Sequence, residues 1–326
     1  MYANLFVLLH VFCHAHMNSF GDKFCFTSFG ESHGAAVGGV LDGVPAGTVI
    51  DMRLVKHELL RRSGRSQEGV SQRATHEYDE VEWLSGVVGQ NGQLVALGTP
   101  IAFIIRNADA RPKDYEWMRL NFRPGHADFA YQAKYGIRDW RGGGRASARE
   151  TASRVVAGTV AKQLLEEKGV HIHAELVQVG SEQDKSRFEA LLRQVKQDGD
   201  TIGGIVACTV TGLPAGLGEP LFDKLQAHLA YAMMSINGCK GFDYGTGFDG
   251  VGLLGSGLWK AGVVPSPASG GIEGGISNGL PLVFRCVFKP AATMARLYRG
   301  RHDVCIAVRA VPVVEAMTAL TLHNFF

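Results

Sequence analysis

Two histidines stand in glycine-rich turns, each beside a group able to orient it. His33 lies in "FGESHGAAVGGVLDGVPAG", next to Glu31 and Ser32, and His126 lies in "FRPGHAD", between Arg123 and Asp128. A loop histidine on its own is most often a surface residue. Two of them, each with a neighbouring acid, suit proton transfer near neutral pH. Neither has a partner at metal-ligand spacing, so acid–base work is expected and no metal. Ser32 beside His33 does not suggest a serine nucleophile, because neighbours on a strand point to opposite faces.

A third stretch, "RGGGRASARE" (Arg141 to Glu150), places three glycines before Arg145, Ser147, Arg149 and Glu150. Ordering adjacent glycines is entropically costly, and the usual reasons are an unusual turn or a close backbone approach. Ser147 and Glu150 read as an S-x-x-E capping box, with a helix starting just after Ser147. The free N–H groups of that helix, with Arg145 and Arg149, would attract a phosphate-bearing ligand. An ordinary capped helix with solvated arginines accounts for the same residues. Cationic groups recur beside glycine in "LLRRSGR" and in "GGIEGGISNG…FKPAAT…YRGRHDVC", where Lys289, Arg301 and His302 stand, which points to polyanionic small ligands.

The elements that must carry these residues are legible in part. "DMRLVKHELLRR" reads as a helix capped by Asp51, with Met52, Val55 and Leu59 on one face. "ARETASRVVAGTVAKQLLEEKG" reads as a longer helix with an apolar stripe of Ala152, Val155, Val156, Val160 and Leu164, ending near Gly169. "PLFDKLQAHLAYAMMSI" suits a helix with Pro220 in its first turn, ending at Asn237-Gly238. "VEAMTALTL" is a further helix, and "SEQDKSRFEALLRQVKQDGD" a surface one. "GGVLDGV", "IAFIIRN", "GGIVACTVTGL" and "LVFRCVF" are strand candidates. This is an α+β pattern with no linker dividing it.

The 326 residues are 46% apolar with a net charge of +2. That length supports a core without disulfides or metal. The near-zero charge and dispersed aromatics argue against a nucleic-acid-binding face. The six cysteines form no C-x-x-C pair, which favours free thiols in a reducing cytoplasm. The apolar run in residues 1–16 has no basic lead and is too short to span a bilayer, so it reads as an extension outside the fold, with the domain at 17–326.

"GESHGAAVGGVLDGVP", "GRASARETASRVVAGTVA" and "GRHDVCIAVRAVPVVEAM" resemble the three signature stretches of the chorismate synthase family. "GTPIAFIIRNADARPKDY", "RPGHADFAYQAKYGIRDWRGGGR" and "GGISNG" resemble it too, in the same order from Met17 to about Met317. The resemblance implies a single large β-α-β sandwich domain, a cytoplasmic homotetramer, and a carbon–oxygen lyase of the shikimate pathway. Such an enzyme binds reduced FMN and removes phosphate and a C6 proton from 5-enolpyruvylshikimate 3-phosphate by 1,4-anti elimination, without net redox change. It implies catalytic roles for His33 and His126, one protonating the leaving phosphate and the other controlling protonation of the flavin. Flavin contacts fall on Arg145, Ala146, Ser147, Asn237, Gly238, Gly274, Lys289, Pro290, Ala291, Ala292, Thr293 and Arg301. Anion contacts fall on Arg62, with Arg65 the nearest candidate for a second. Asn324 stands where the family pattern leads one to expect an acid, so a third acid–base group is not expected there. No G-x-G-x-x-G fingerprint follows a strand, which favours NADPH acting only as an external reductant. Neither a membrane nor nucleic acid is expected as a partner. A non-catalytic flavin- or phosphate-binding protein would keep the glycine–arginine turns without needing both histidines.

Overall fold

The computed structural model describes residues 18–64, 79–108, 112–297 and 303–326. The chain opens with strands β1 (Ser19–Phe20), β2 (Cys25–Phe29) and β3 (Ala36–Asp42), then β4 (Val49–Ile50) and helix α1 (Met52–Ser63). Strands β5 (Val81–Trp83), β6 (Val87–Gln90), β7 (Gln93–Ala96) and β8 (Ile101–Arg106) follow. The site-bearing middle holds α2 (Asp128–Tyr135) and α3 (Thr151–Glu166). Next come β9 (His171–Val179), α4 (Phe188–Gln197), β10 (Gly204–Thr211), α5 (Leu225–Met234), β11 (Cys239–Tyr244) and the single turn α6 (Gly255–Leu258). The hairpin β12 (Ile272–Glu273) and β13 (Ile276–Ser277), β14 (Leu282–Phe288) and α7 (Ile306–His323) complete the chain.

One antiparallel sheet has the order β1-β2-β3-β8-β5, and a second β11-β14-β10-β9. Between them, α3 packs on β3, α7 packs on β9 and β10, and the two helices pack on each other. The result is the expected α+β architecture, a helical layer between two sheets. Alternation explains how each sheet meets that layer: Val206, Cys208 and Val210 of β10, and Leu282, Phe284, Cys286 and Phe288 of β14, point inward and are buried. The helices cross closely because position 158 is glycine; a Cβ there would lie 2.4 Å from the Ala316 Cα.

Sandwiching also explains where the helices exceed the expected pattern. α3 buries Ala157, Thr159, Ala161 and Leu165 as well as the expected stripe, because it faces β3, α1 and α7 at once. α7 runs well upstream of "VEAMTALTL", through Pro312 to Ile306. It alone among the described helices is long and apolar enough to cross a membrane by length and composition, yet it is 83% buried between the sheets. Asp51 caps α1 as expected, accepting bonds from the Arg53 and Leu54 N–H groups at 2.8 and 3.2 Å, whereas Met52 at its start is exposed. α5 begins at Leu225, five residues beyond Pro220, since the intervening chain is turn.

A buried charge cluster ties the helical layer together. Glu315 of α7 accepts a bidentate pair from Arg61 (2.8 and 3.0 Å), a bond from Lys162 (2.9 Å) and one from the Ala174 N–H (2.8 Å). Burial raises the Glu315 pKa, but Arg61 and Lys162 more than reverse this and hold it below the usual carboxylate range.

Candidate active site

The three glycines of Arg141 to Glu150 all adopt left-handed φ, +63°, +90° and +53° at Gly142, Gly143 and Gly144. Their surroundings show why glycine is required. A Cβ on Gly142 would lie 2.2 Å from His33 Cε1, and one on Gly143 would lie 2.7 Å from His126 Cε1 and 2.8 Å from Arg123 Nη2. The backbone is therefore threaded between the two histidines, with no room for a side chain on either side.

His126 is oriented by a buried carboxylate. Asp128 Oδ1 lies 2.8 Å from His126 Nδ1, while Arg123 grips the same carboxylate through Nε at 2.8 Å and Nη2 at 3.0 Å. Arg123 Nη2 also lies 3.0 Å from His126 Nδ1. A guanidinium only donates, so it cannot accept from Nδ1–H, and the ionised Asp128 accepts that hydrogen bond. Burial raises the Asp128 pKa, but hydrogen bonds from Arg123 and His126 pull it well below the usual range. The tautomer that results leaves His126 Nε2 to accept or return a proton.

His33 is held differently. Residues 30–35 form a turn rather than a strand, so Ser32 Oγ comes within 3.1 Å of His33 Nδ1, contrary to the alternation expected for neighbours. The Tyr115 ring meets the imidazole edge-on at 4.7 Å, and Asn107 Nδ2 fastens the turn by donating to the Glu31 and Gly34 carbonyls at 2.9 and 3.0 Å.

A cavity of about 510 Å³ opens beside Gly142 and His126. It gathers Ala146, Ser147, Asn237, Gly238, Lys289, Ala291, Ala292 and Thr293 from the expected flavin set. Arg123, Tyr131, Cys239, Lys240 and Asp303 line it as well and had not been singled out for binding. Cys239 and Lys240 directly follow Asn237-Gly238, and Asp303 follows "GRH", so sequence proximity was the available signal. Lys289 donates to the Gly125 carbonyl. Burial, then Lys240 and Arg123, lower its pKa. Asn237 Oδ1 is buried with no hydrogen-bond partner among the described residues.

Other expected contacts lie elsewhere. The Arg145 side chain turns away to the Gly30 carbonyl (3.0 Å) and Ser28 Oγ (2.8 Å), bordering a second cavity of about 400 Å³. Gly274 forms the β12–β13 hairpin turn, and neither it nor Pro290 is in the larger cavity's lining. Arg62 is 1% exposed and bonded to Asp79 at 3.0 Å, and Asp79 also holds Arg149. Burial raises the Asp79 pKa, while the charges of Arg62 and Arg149 bring it below its ordinary value. Both arginines are thus committed to a carboxylate, and Arg149 is buried rather than solvated. Arg62 borders a small neighbouring cavity of about 20 Å³ and is not in the larger cavity's lining. Arg65, Arg301, His302 and residues 1–16 lie outside the described residues.

The capping box forms only in half. Ser147 Oγ accepts from the Arg149 N–H at 3.4 Å, but a 3₁₀ turn over Ala148–Glu150 precedes α3. Glu150 Oε2 bonds Arg154 at 3.0 Å instead of reaching back to Ser147. Asn324 is a backbone clamp: its Oδ1 accepts from the N–H groups of Asp22, Lys23 and Phe24 at 2.8, 3.0 and 3.2 Å, and its Nδ2 donates to Leu320 O at 2.8 Å. It serves structure and is not among the larger cavity's lining residues.

Comparison with known proteins shows the family. The family model for chorismate synthase matches residues 24–326. The chorismate synthase of Christiangramia forsetii is 46% identical, covering 95% of this chain and 97% of the relative. That of Azobacteroides pseudotrichonymphae is 45% identical over 95% of this chain and 99% of its own. A crystal structure of a chorismate synthase superimposes with a TM-score of 0.73 at 30% identity, covering 94% of this chain and 92% of its own. Matching nearly end to end in sequence and in fold, the chain belongs to the chorismate synthase family of flavin-dependent lyases acting on a small molecule.

Proposed function

We propose that the larger cavity holds reduced FMN together with 5-enolpyruvylshikimate 3-phosphate, and that His126 and His33 divide the proton work of the elimination. The observation that carries this reading is the Gly142–Gly143 backbone threaded between the two imidazoles. The lining suits a flavin mononucleotide. Asn237 Oδ1 is a buried acceptor awaiting a donor, and Lys240, Lys289 and Arg123 supply positive charge for phosphate. When bound, reduced flavin lends electron density to the substrate and recovers it, so no net redox change results.

His126 shares its cavity with Asn237, Gly238, Lys289 and Thr293, so it is the histidine that sets protonation on the flavin side. Asp128 fixes its tautomer and steadies the charge when Nε2 takes a proton. His33 is not among that cavity's lining residues; it stands just beyond the Gly142 backbone, backed by Ser32, and from that side delivers the proton to the departing phosphate. Arg123, locked by Asp128 and Thr293, keeps a fixed positive charge where negative charge develops.

In this reading the enzyme is cytoplasmic, draws its reducing power from NADPH through an external reductant, and binds neither nucleic acid nor membrane. A chain starting at Met17 should keep the melting point and activity of the full chain. Assembly as a homotetramer would cover exposed apolar side chains such as Phe222, Val251 and Val264, which are 87–94% exposed.

Alanine at His33 and at His126 provides the test. Each replacement should lower turnover by roughly 10²–10⁴-fold, the scale of general acid–base catalysis, with flavin and substrate affinities much less affected. Normal turnover in both variants would refute the assignment.

A further inference from the structure

The second cavity, of about 400 Å³, lies where α2, the start of α3 and the end of α5 converge. That volume falls in the range of small-molecule sites. It shares Tyr131 and Asn237 with the larger cavity, whereas Tyr135, Arg145, Glu150 and Arg154 line it and not the larger one. Two buried acceptors stand there without a donor. Glu150 is 2% exposed; its Oε2 accepts from Arg154 Nε at 3.0 Å, but its Oε1 has no hydrogen-bond partner among the described residues. Asn237 Oδ1 is the other. Buried polar atoms are rarely left unpaired, and each such exception calls for a partner.

The two arginines of this cavity are held differently. Arg154 is matched to the Glu150 carboxylate and anchored by Ser235, through Oγ at 2.7 Å and the carbonyl at 3.2 Å. Arg145 is held by neutral acceptors, the Gly30 carbonyl and Ser28 Oγ, and has no carboxylate at ion-pair distance among the described residues. Those two bonds use two of its five N–H donors, so the guanidinium keeps donors for an anion. The Tyr131 and Tyr135 rings meet edge-on at 5.7 Å and form an aromatic wall. Burial raises the Tyr131 pKa, Tyr135 and Glu150 add to that, and Arg145 opposes it, so both charges act on one phenol. A simple anion here would leave both acceptors unpaired, and a simple cation would meet the unmatched Arg145. A zwitterion answers both.

We propose that the second cavity binds an α-amino acid with an aromatic side chain. Its ammonium group donates to Glu150 Oε1 and Asn237 Oδ1, its carboxylate accepts from Arg145, and its ring packs on Tyr131 and Tyr135. Because Asn237 and Tyr131 line both cavities, the occupant rests against the wall of the larger one. The proton work assigned to His33 and His126 uses neither Glu150 nor Tyr135, so this inference stands apart from those assignments.

Calorimetric titration of the full-length chain, free of flavin, tests it with three ligands that differ only in charge: L-phenylalanine, 3-phenylpropionate, which lacks the ammonium, and 2-phenylethylamine, which lacks the carboxylate. L-phenylalanine should bind, and each of the others should bind roughly ten- to a hundred-fold more weakly, the scale of a lost charge-assisted hydrogen bond. Glu150→Gln should weaken L-phenylalanine by at least about tenfold while leaving 3-phenylpropionate unchanged. Tyr135→Ala removes a half-exposed ring, so it keeps the fold, and should weaken all three ligands. The wild-type series and Tyr135→Ala decide the matter whether or not Glu150→Gln folds. No binding of L-phenylalanine, equal affinity for the three ligands, or binding that Tyr135→Ala leaves untouched would overturn the proposal.

Discussion

Replacing Gly142 by alanine separates the fold from the chemistry. Its φ of +63° costs a residue bearing a Cβ about 1–2 kcal/mol, which a domain of this size should survive. The new methyl would lie 2.2 Å from His33 Cε1 and 2.3 Å from Nδ1, far inside contact distance. The imidazole is a movable side chain, so the clash is relieved by shifting His33 by roughly 1 Å, a misplacement that can cost about 10²-fold in rate. Complete loss of its proton transfer would bring the deficit toward about 10⁴-fold. Gly143→Ala extends the argument to the other histidine, since its methyl would lie 2.7 Å from His126 Cε1 at a φ of +90°. The assay pairs urea denaturation with anaerobic steady-state kinetics and separate ligand affinities. Wild-type turnover in a folded Gly142→Ala enzyme would refute the reasoning, because it would mean His33 does no work from the place the structure gives it.

Asp128 has a depressed folded-state pKa, so its stabilising contribution is complete above about pH 4 and is lost as pH falls through the folded value. The stability gap between wild type and Asp128→Asn, read from denaturation curves, should accordingly shrink in acid. Arg62→Ala breaks a buried pair with Asp79 and should cost about 3 kcal/mol in unfolding free energy. Weaker substrate binding with unchanged stability would instead support a direct anion contact for Arg62. Asn324→Ala removes the acceptor shared by three backbone N–H groups and should cost about 2 kcal/mol by denaturation, with turnover of the folded enzyme intact.

The parts of this molecule governed by local chemistry were legible in the sequence. The Asp51 cap, the alternating strands β8, β10 and β14, and the histidine turns follow from neighbours along the chain. Features decided by distant partners were not. α3 buries more than one face only because two sheets and two helices surround it. Arg62 and Arg149 read as free cations until Asp79 is found between them. The reason for Gly142 and Gly143 is likewise tertiary: the imidazoles they accommodate lie far from one another along the chain, and nothing local names them. The Ser32–His33 contact was not legible, because strand alternation separates adjacent side chains whereas the turn these two occupy brings them together.

The central claim is that this cavity runs a flavin-assisted elimination, and anaerobic turnover tests it directly. The protein is given 5-enolpyruvylshikimate 3-phosphate with FMN, either oxidised or reduced by dithionite, and chorismate and inorganic phosphate are measured together. The account predicts equal amounts of both products with reduced flavin and neither product with oxidised flavin. Equal phosphate release with oxidised flavin, or with no flavin, would contradict it.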